Sequence, residues 1–106
     1  MINNKQKIYS YIGLAMRAGK VVSGDDTTLK ELKKGKISLV IVADDASENT
    51  KKLFKDKSSY RKINQIYFST KVELGLAIGK APRAVIGIKD KALSQKIIEL
   101  VQSKNS

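Results

Sequence analysis

The sequence predicts a single-domain α/β protein, a three-layer α-β-α sandwich built on a four-stranded sheet that is mostly parallel or mixed. Three observations predict it. Stretches with apolar residues at helical spacing alternate with short, β-branched apolar runs, the pattern of strands joined through covering helices. One such run, I-S-L-V-I-V-A at residues 37–43, is almost wholly apolar, as a strand buried on both faces requires. The 106 residues contain no repeat, low-complexity tract or linker, so residues 1–106 form one unit, large enough for a core and too small for two.

Taken in order, the first helix is expected over residues 4–18, with Ile8, Ile12, Ala15 and Met16 on one face, Asn3 or Asn4 as cap and Gly19 as stop. A short strand at 21–23 follows. Gly24 then turns the chain into a second helix that ends at Gly35. Its Leu29 and Leu32 face inward, and Thr27, Thr28, Lys30, Lys33 and Lys34 lie near its start and along its exposed side. After the strand at 37–43, Ser47 caps a third helix that ends between Lys57 and Arg61, with Leu53 and Phe54 inward and Lys51, Lys52, Lys55 and Lys57 outward. A strand at 65–68 comes next. Thr70 and Glu73 have capping-box spacing and open a fourth helix that stops at Gly79. Gly79, Lys80, Ala81, Pro82 and Arg83 make a loop, residues 84–88 another buried strand, and Asp90 caps a last helix with Leu93, Ile97, Leu100 and Val101 on one face. The tail at 102–106 is expected to fray.

Charge sets the function class. Twenty-one Lys and Arg against ten Asp and Glu leave +11, a surplus that opposes compaction unless a polyanion offsets it. Nucleic acid is the first partner to consider and an anionic membrane surface the second. No apolar run approaches the roughly 18 residues of a bilayer span and no signal-peptide core is present, so a cytoplasmic chain with no membrane partner is expected. The absence of Cys and His removes disulfides, thiolate metal sites, the commonest zinc ligand and the usual proton shuttle. No serine has a general base and no carboxylates pair in a predicted cleft, so neither an enzyme nor a cofactor is expected.

Four stretches carry possible chemistry. Residues 13–20 have the glycines and lysine of a phosphate-binding loop, but one residue too far apart, after a helix instead of a strand, and with Val21 where a hydroxyl would hold magnesium. Asp44 and Asp45 follow a buried strand, where a magnesium-dependent regulatory domain would keep an acidic pair; no third carboxylate ends another strand, and turn and helix-start charges are the alternative. The lysines of the third helix, with Arg61 and Lys62, solvate an exposed face or serve an interaction module for an acidic protein. Tyr9, Tyr11, Tyr60 and Tyr67 read as core or core-rim residues. The turn at Gly24 is the strongest site. Gly24 permits close backbone approach, the first N–H groups of a helix lack partners, Thr27 donates or accepts, Asp25 and Asp26 accept from guanine edges, and Lys30 meets phosphate. The surplus charge is expected to gather beside this hinge. An ordinary helix start, merely capped by Asp25, Asp26 or Thr27, remains the alternative.

Motifs in matching order along nearly the whole chain add a resemblance. G-L-A-M-R-A-G-K-V-V-S-G at 13–24, K-x-L-K-K-G at 30–35, L-V-I-V-A-D-D-A-S-E-N-T at 39–50 and L-G-L-A-I-G-K at 74–80 resemble the bacterial YlxQ family, within the superfamily of ribosomal protein L-seven-Ae and the kink-turn RNA binders. The resemblance implies an α-β-α sandwich without enzymatic activity that binds structured RNA, ribosomal RNA among the candidates, in association with ribosomes. In the kink-turn binders a G-x-N-E-x-x-K segment meets sheared G·A pairs, and a loop before the last strand packs on a flipped-out base. Carried across, the segment falls on Gly24, Asp26, Thr27 and Lys30, with Lys33 and Lys34 further along the helix. The loop falls on Gly79, Lys80, Ala81, Pro82 and Arg83, where Lys80 and Arg83 are expected to clamp the far side of the RNA. Asp26 and Thr27 replace the Asn-Glu pair; a bidentate base contact is worth about 1–3 kcal/mol, so the two changes weaken or redirect kink-turn selectivity.

Overall fold

The computed structural model describes residues 3–103. Nine elements follow one another as α1 (Asn4–Arg17), β1 (Val21–Ser23), α2 (Asp25–Lys33), β2 (Leu39–Val42), α3 (Glu48–Tyr60), β3 (Asn64–Tyr67), α4 (Lys71–Ala77), β4 (Val85–Ile88) and α5 (Lys91–Gln102). Of the tail expected to fray, Gln102 closes α5, Ser103 is its C-cap, and 104–106 lie outside the described residues.

The strands form one sheet in the order β1-β4-β2-β3. β4 is antiparallel to both β1 and β2, and β2 is parallel to β3, so the sheet is mixed and only one of its ladders is parallel. The reason lies in α4. The connections through α2 and α3 each carry the chain from one end of the sheet to the other, so β1, β2 and β3 point the same way. α4 does not. Arg83 N–H donates to the carbonyl of Lys71 (3.0 Å), so the chain leaves the 79–83 loop at the end of the sheet where it entered α4, and β4 has to run back between β1 and β2.

α1, α4 and α5 cover one face of the sheet and α2 and α3 the other. The two central strands are buried throughout, as continuous apolar runs require, while the edge strands β1 and β3 are only partly covered. Ile12, Leu32, Leu39, Ile41, Phe54, Leu74, Ile86, Ile88 and Ile97 are fully enclosed. Strand ends differ by a residue or two from expectation: Ile37 and Ala43 are buried flanks just outside β2, Ala43 N–H still donating to the Ala84 carbonyl (2.8 Å). Two side chains differ in direction. Thr28, expected on the exposed side of α2, is fully buried; it lies four residues before Leu32 and shares its inward stripe. Val101 is 37% exposed and Ile98 is buried in its place, because Val101 falls in the last turn of α5, beyond Leu100, whose carbonyl accepts from Asn4 at the very start of α1.

Candidate nucleic-acid interface

Four links, β1–α2, β2–α3, β3–α4 and α4–β4, meet at the end of the sheet where β1, β2 and β3 finish and β4 begins. β1 stops at Ser23, and Gly24 takes φ 89° and ψ 155°, backbone that is essentially closed to any residue with a side chain. Its N–H donates to the carbonyl of Val85 (3.0 Å), which pins the turn to β4. The glycine amide is therefore occupied. A Cβ at Gly24 would meet nothing within 4 Å, so the outer side of the turn stands open to an incoming ligand.

The open donors lie one step further on. α1, α3, α4 and α5 begin with a side chain that accepts from the first turn, namely Asn3, Ser47, Thr70 and Asp90. α2 begins with none, so neither Asp25, Asp26 nor Thr27 caps it. The first intrahelical bond of α2 is from Thr28 N–H to the Gly24 carbonyl (3.1 Å), which leaves the N–H groups of Asp25, Asp26 and Thr27 directed outward at the positive end of the helix. Asp26, Thr27 and Lys30 are exposed on one stripe. The Asp25 carboxylate is engaged within the fold, where its Oδ2 accepts from the Thr50 hydroxyl (3.1 Å) and ties the start of α2 to the start of α3.

The 79–83 loop joins this surface through Arg83. Its Nε donates to the Ser23 hydroxyl (3.1 Å), and its Nη1 donates to the carbonyls of Ala81 and Pro82 (3.1 Å each). Arg83, expected to clamp RNA, uses Nε to fasten the loop to the end of β1 and Nη1 to brace the loop itself. Gly79, Lys80, Ala81 and Pro82 are exposed beside it. Beneath them, Lys80 N–H donates to the Gly75 carbonyl (2.8 Å), and a Cβ on Gly75 would come within 2.3 Å of the Ala81 carbonyl oxygen. The loop lies on α4 only because residue 75 has no side chain.

The structure thus brings Gly24, Asp25, Asp26, Thr27 and Lys30 together with the 79–83 loop. It sets Lys33 and Lys34 apart: at about 1.5 Å per residue they close α2 roughly 14 Å, more than two turns, from the hinge, and Lys34 is paired with Glu31 at 4.0 Å. Ser23 and Thr50, which build the edge, carried no local signal, since each acts on a residue distant in sequence, and the role of Gly75 depends on the loop five and six residues later folding back onto it. Asp45 belongs with them: its Oδ1 accepts from Lys71 N–H (2.9 Å) at the start of α4, and among the described residues no three acidic side chains gather where a metal ion would sit.

Charge is distributed otherwise than expected. Asp25, Asp26, Asp44, Asp45 and Glu48, half of the ten acids in the chain, stand around this edge with Lys30, Lys51, Lys52, Lys71, Lys80 and Arg83, so its charge is close to balanced and the surplus of +11 does not gather beside Gly24. On α3, Lys51 pairs with Glu48 (3.9 Å) and lies 5.8 Å from the Tyr67 ring. Tyr60, expected in or near the core, is 83% exposed under the Arg61 guanidinium.

Comparison with known proteins agrees with this architecture. Residues 6–98 match the model of the ribosomal protein L7Ae/L30e/S12e/Gadd45 family. The chain is 46% identical over 99 residues to the RNA-binding protein YlxQ of Enterococcus faecium, covering 93% of this chain and 95% of that one. A Bacillus halodurans protein of unknown function superposes with a TM-score of 0.89 at 37% identity, covering 92% and 98%. The Giardia lamblia 15.5kD RNA binding protein shares the fold, with a TM-score of 0.77 at 22% identity over 92% of this chain and 84% of that one. No helix among the described residues is long and apolar enough to cross a membrane.

Proposed function

The chain belongs to the ribosomal protein L7Ae/L30e/S12e/Gadd45 family, and from that premise we propose that it is a non-enzymatic, cytoplasmic RNA-binding protein that recognises structured RNA in association with ribosomes. The observation that carries the reading is the uncapped start of α2, whose three outward N–H groups lie beside a loop fastened to the same strand end by Arg83. The YlxQ name of a relative that matches nearly the whole chain supports it.

In this reading the N–H groups of Asp25 and Thr27 and the Thr27 hydroxyl face RNA bases or phosphate, Asp26 accepts from a guanine edge, Lys30 meets phosphate, and Lys80 reaches the RNA from the loop. Arg83 acts as a positioning residue that holds the loop in register. Recognition is of the kink-turn kind but with relaxed selectivity, since Asp26 lacks an amide donor and Thr27 lacks a carboxylate able to take two guanine N–H groups.

The test measures affinity for a kink-turn RNA and for the same RNA with its sheared G·A pairs replaced by Watson–Crick pairs. Lys30→Ala is expected to weaken both and to reduce the slope of log affinity against log salt by about 0.7–0.9. Asp26→Asn with Thr27→Glu is expected to widen the preference for the kink-turn RNA, each restored bidentate contact being worth about 1–3 kcal/mol. Unchanged affinity and slope in Lys30→Ala, together with unchanged preference in the double variant, would remove the interface from this edge.

A further inference from the structure

The positive surplus that the composition carries, and that the Gly24 edge lacks, lies at the opposite end of the sheet. There Lys20 follows α1, Lys36 sits in the α2–β2 link, and Lys89 and Lys91 flank the β4–α5 link, all four lining one open cleft with Ser38 and Ile63. Lys33 and Lys34 close α2, and Lys62 follows α3 just before Ile63. We propose that this end is a second RNA-binding surface, one that grips the phosphate backbone of a duplex segment while the Gly24 edge engages another part of the RNA. It rests on the reading that the chain binds RNA.

The lysines are held in place by the fold. Lys89 N–H donates to the Lys20 carbonyl (2.7 Å), Ser38 N–H to the Ile88 carbonyl (2.8 Å), and Lys36 N–H to the Glu31 carbonyl (3.1 Å). Their backbones form a rigid rim, so ordering them against an anion costs only side-chain freedom.

Helix ends account for part of the charge, not all of it. α1, α2 and α3 finish here, and each C-terminus presents about half a negative charge that a cation stabilises. Glu31 offsets one more, with Lys89 at 3.2 Å and Lys34 at 4.0 Å. Asp90 turns its carboxylate to the N–H of Leu93 (2.8 Å) as the cap of α5. Set against Lys20, Lys33, Lys34, Lys36, Lys62, Lys89 and Lys91, these leave about half of the seven positive charges without a counter-charge.

The lining names the partner. Lysines are compact point charges suited to phosphates in any sequence. No aromatic ring lines the cleft to stack on an unpaired base, which favours a duplex over a single strand. Ile37 is buried and Ile63 half-buried, so among the described residues the cleft offers no apolar side chain for insertion into a bilayer. The two surfaces face away from each other across strands about 13 Å long, so one molecule would bridge two RNA segments.

The experiment titrates an uninterrupted RNA duplex and a kink-turn RNA at several KCl concentrations. The protein is compared with a Lys20→Gln, Lys36→Gln, Lys91→Gln variant that keeps the Lys89–Glu31 pair, its fold checked by an unchanged circular dichroism spectrum. The triple variant is expected to bind the duplex at least tenfold more weakly at low salt and with a slope flatter by about two. Lys30→Ala, which removes a single phosphate contact at the other edge, is expected to flatten the duplex slope by less than one, against about two for the triple variant. An unchanged duplex slope in the triple variant, or an unmodified protein that binds the kink-turn RNA and ignores the duplex, overturns the second surface while leaving the Gly24 interface standing. A protein that binds neither RNA overturns both.

Discussion

Replacing Thr28 by valine is expected to stabilise the fold, although the residue sits within one turn of the hinge. Its Oγ1 is buried without a hydrogen-bond partner, and an orphaned buried hydroxyl costs about 1–3 kcal/mol where a methyl of the same shape costs nothing comparable. Urea denaturation should show a higher midpoint at an unchanged m-value; a lower midpoint would mean that the hydroxyl has a partner. Reading the sequence by polarity sent this side chain outward, and only the phase of α2, set by the Gly24 turn, sends it inward. The same limit hid Glu73. Its spacing from Thr70 marked a capping box, and the Thr70 hydroxyl does accept from Glu73 N–H (3.2 Å), yet the carboxylate turns to the Tyr9 hydroxyl (2.7 Å) and the Ser69 hydroxyl (3.0 Å), with Lys5 at 3.5 Å. Those two hydrogen bonds, then the Lys5 charge, hold the Glu73 carboxyl below its ordinary value of 4.5. A depressed folded value means stability that is present above the unfolded value and lost as pH falls through the folded one. Glu73→Gln should therefore lie below the unmodified protein in melting temperature at neutral pH and approach it as pH drops below 4.5. A gap that persists undiminished at acid pH would refute the linkage.

Among the elements, α4 decides the most. Its existence, its cap at Thr70 and its stop at Gly79 are legible in the sequence, as are the other four helices, the four strands and the burial of the two central ones. What could not be read is that α4 is an excursion and not a crossover, because alternation of helix and strand is the same in either case. The difference is set by contacts that no periodicity shows: Arg83 with Lys71 and with the distant Ser23, and the fold-back of the loop backbone onto Gly75. Gly75→Ala tests this without touching any residue assigned to RNA. A methyl 2.3 Å from the Ala81 oxygen has to displace the loop or the helix. Overpacking of this kind costs about 1–3 kcal/mol. The variant should melt earlier and bind kink-turn RNA more weakly while keeping most of the salt slope of the unmodified protein, since the phosphate contact at Lys30 is untouched. Loss of slope as well as affinity would show that the loop contributes charge more than shape.

At the scale of the whole molecule, composition announced an excess of +11 but not where it would go. Folding sorts it: five acids collect at the hinge edge, and seven lysines surround the other end with Glu31 and the capping Asp90 as the acids among them. A crowd of like charges opposes folding whether or not RNA is present. Two unit charges 10 Å apart at a water-exposed surface repel by about 0.4 kcal/mol, so several unbalanced lysines together reach the order of 1 kcal/mol. Screening shortens from about 10 Å at 0.1 M salt to about 3 Å at 1 M, which removes most of that repulsion. For a domain of this size about 1 kcal/mol corresponds to roughly 4–8 °C in melting temperature. The unmodified protein should therefore gain several degrees between 0.1 and 1 M NaCl. The Lys20→Gln, Lys36→Gln, Lys91→Gln variant should start higher at low salt and gain less, because the repulsion that salt would screen has already been removed. The opposite pattern, a melting temperature that falls with salt in both proteins, would mean that pairs such as Lys89 with Glu31 outweigh the crowding, and that the lysine end is balanced within the fold instead of waiting for a polyanion.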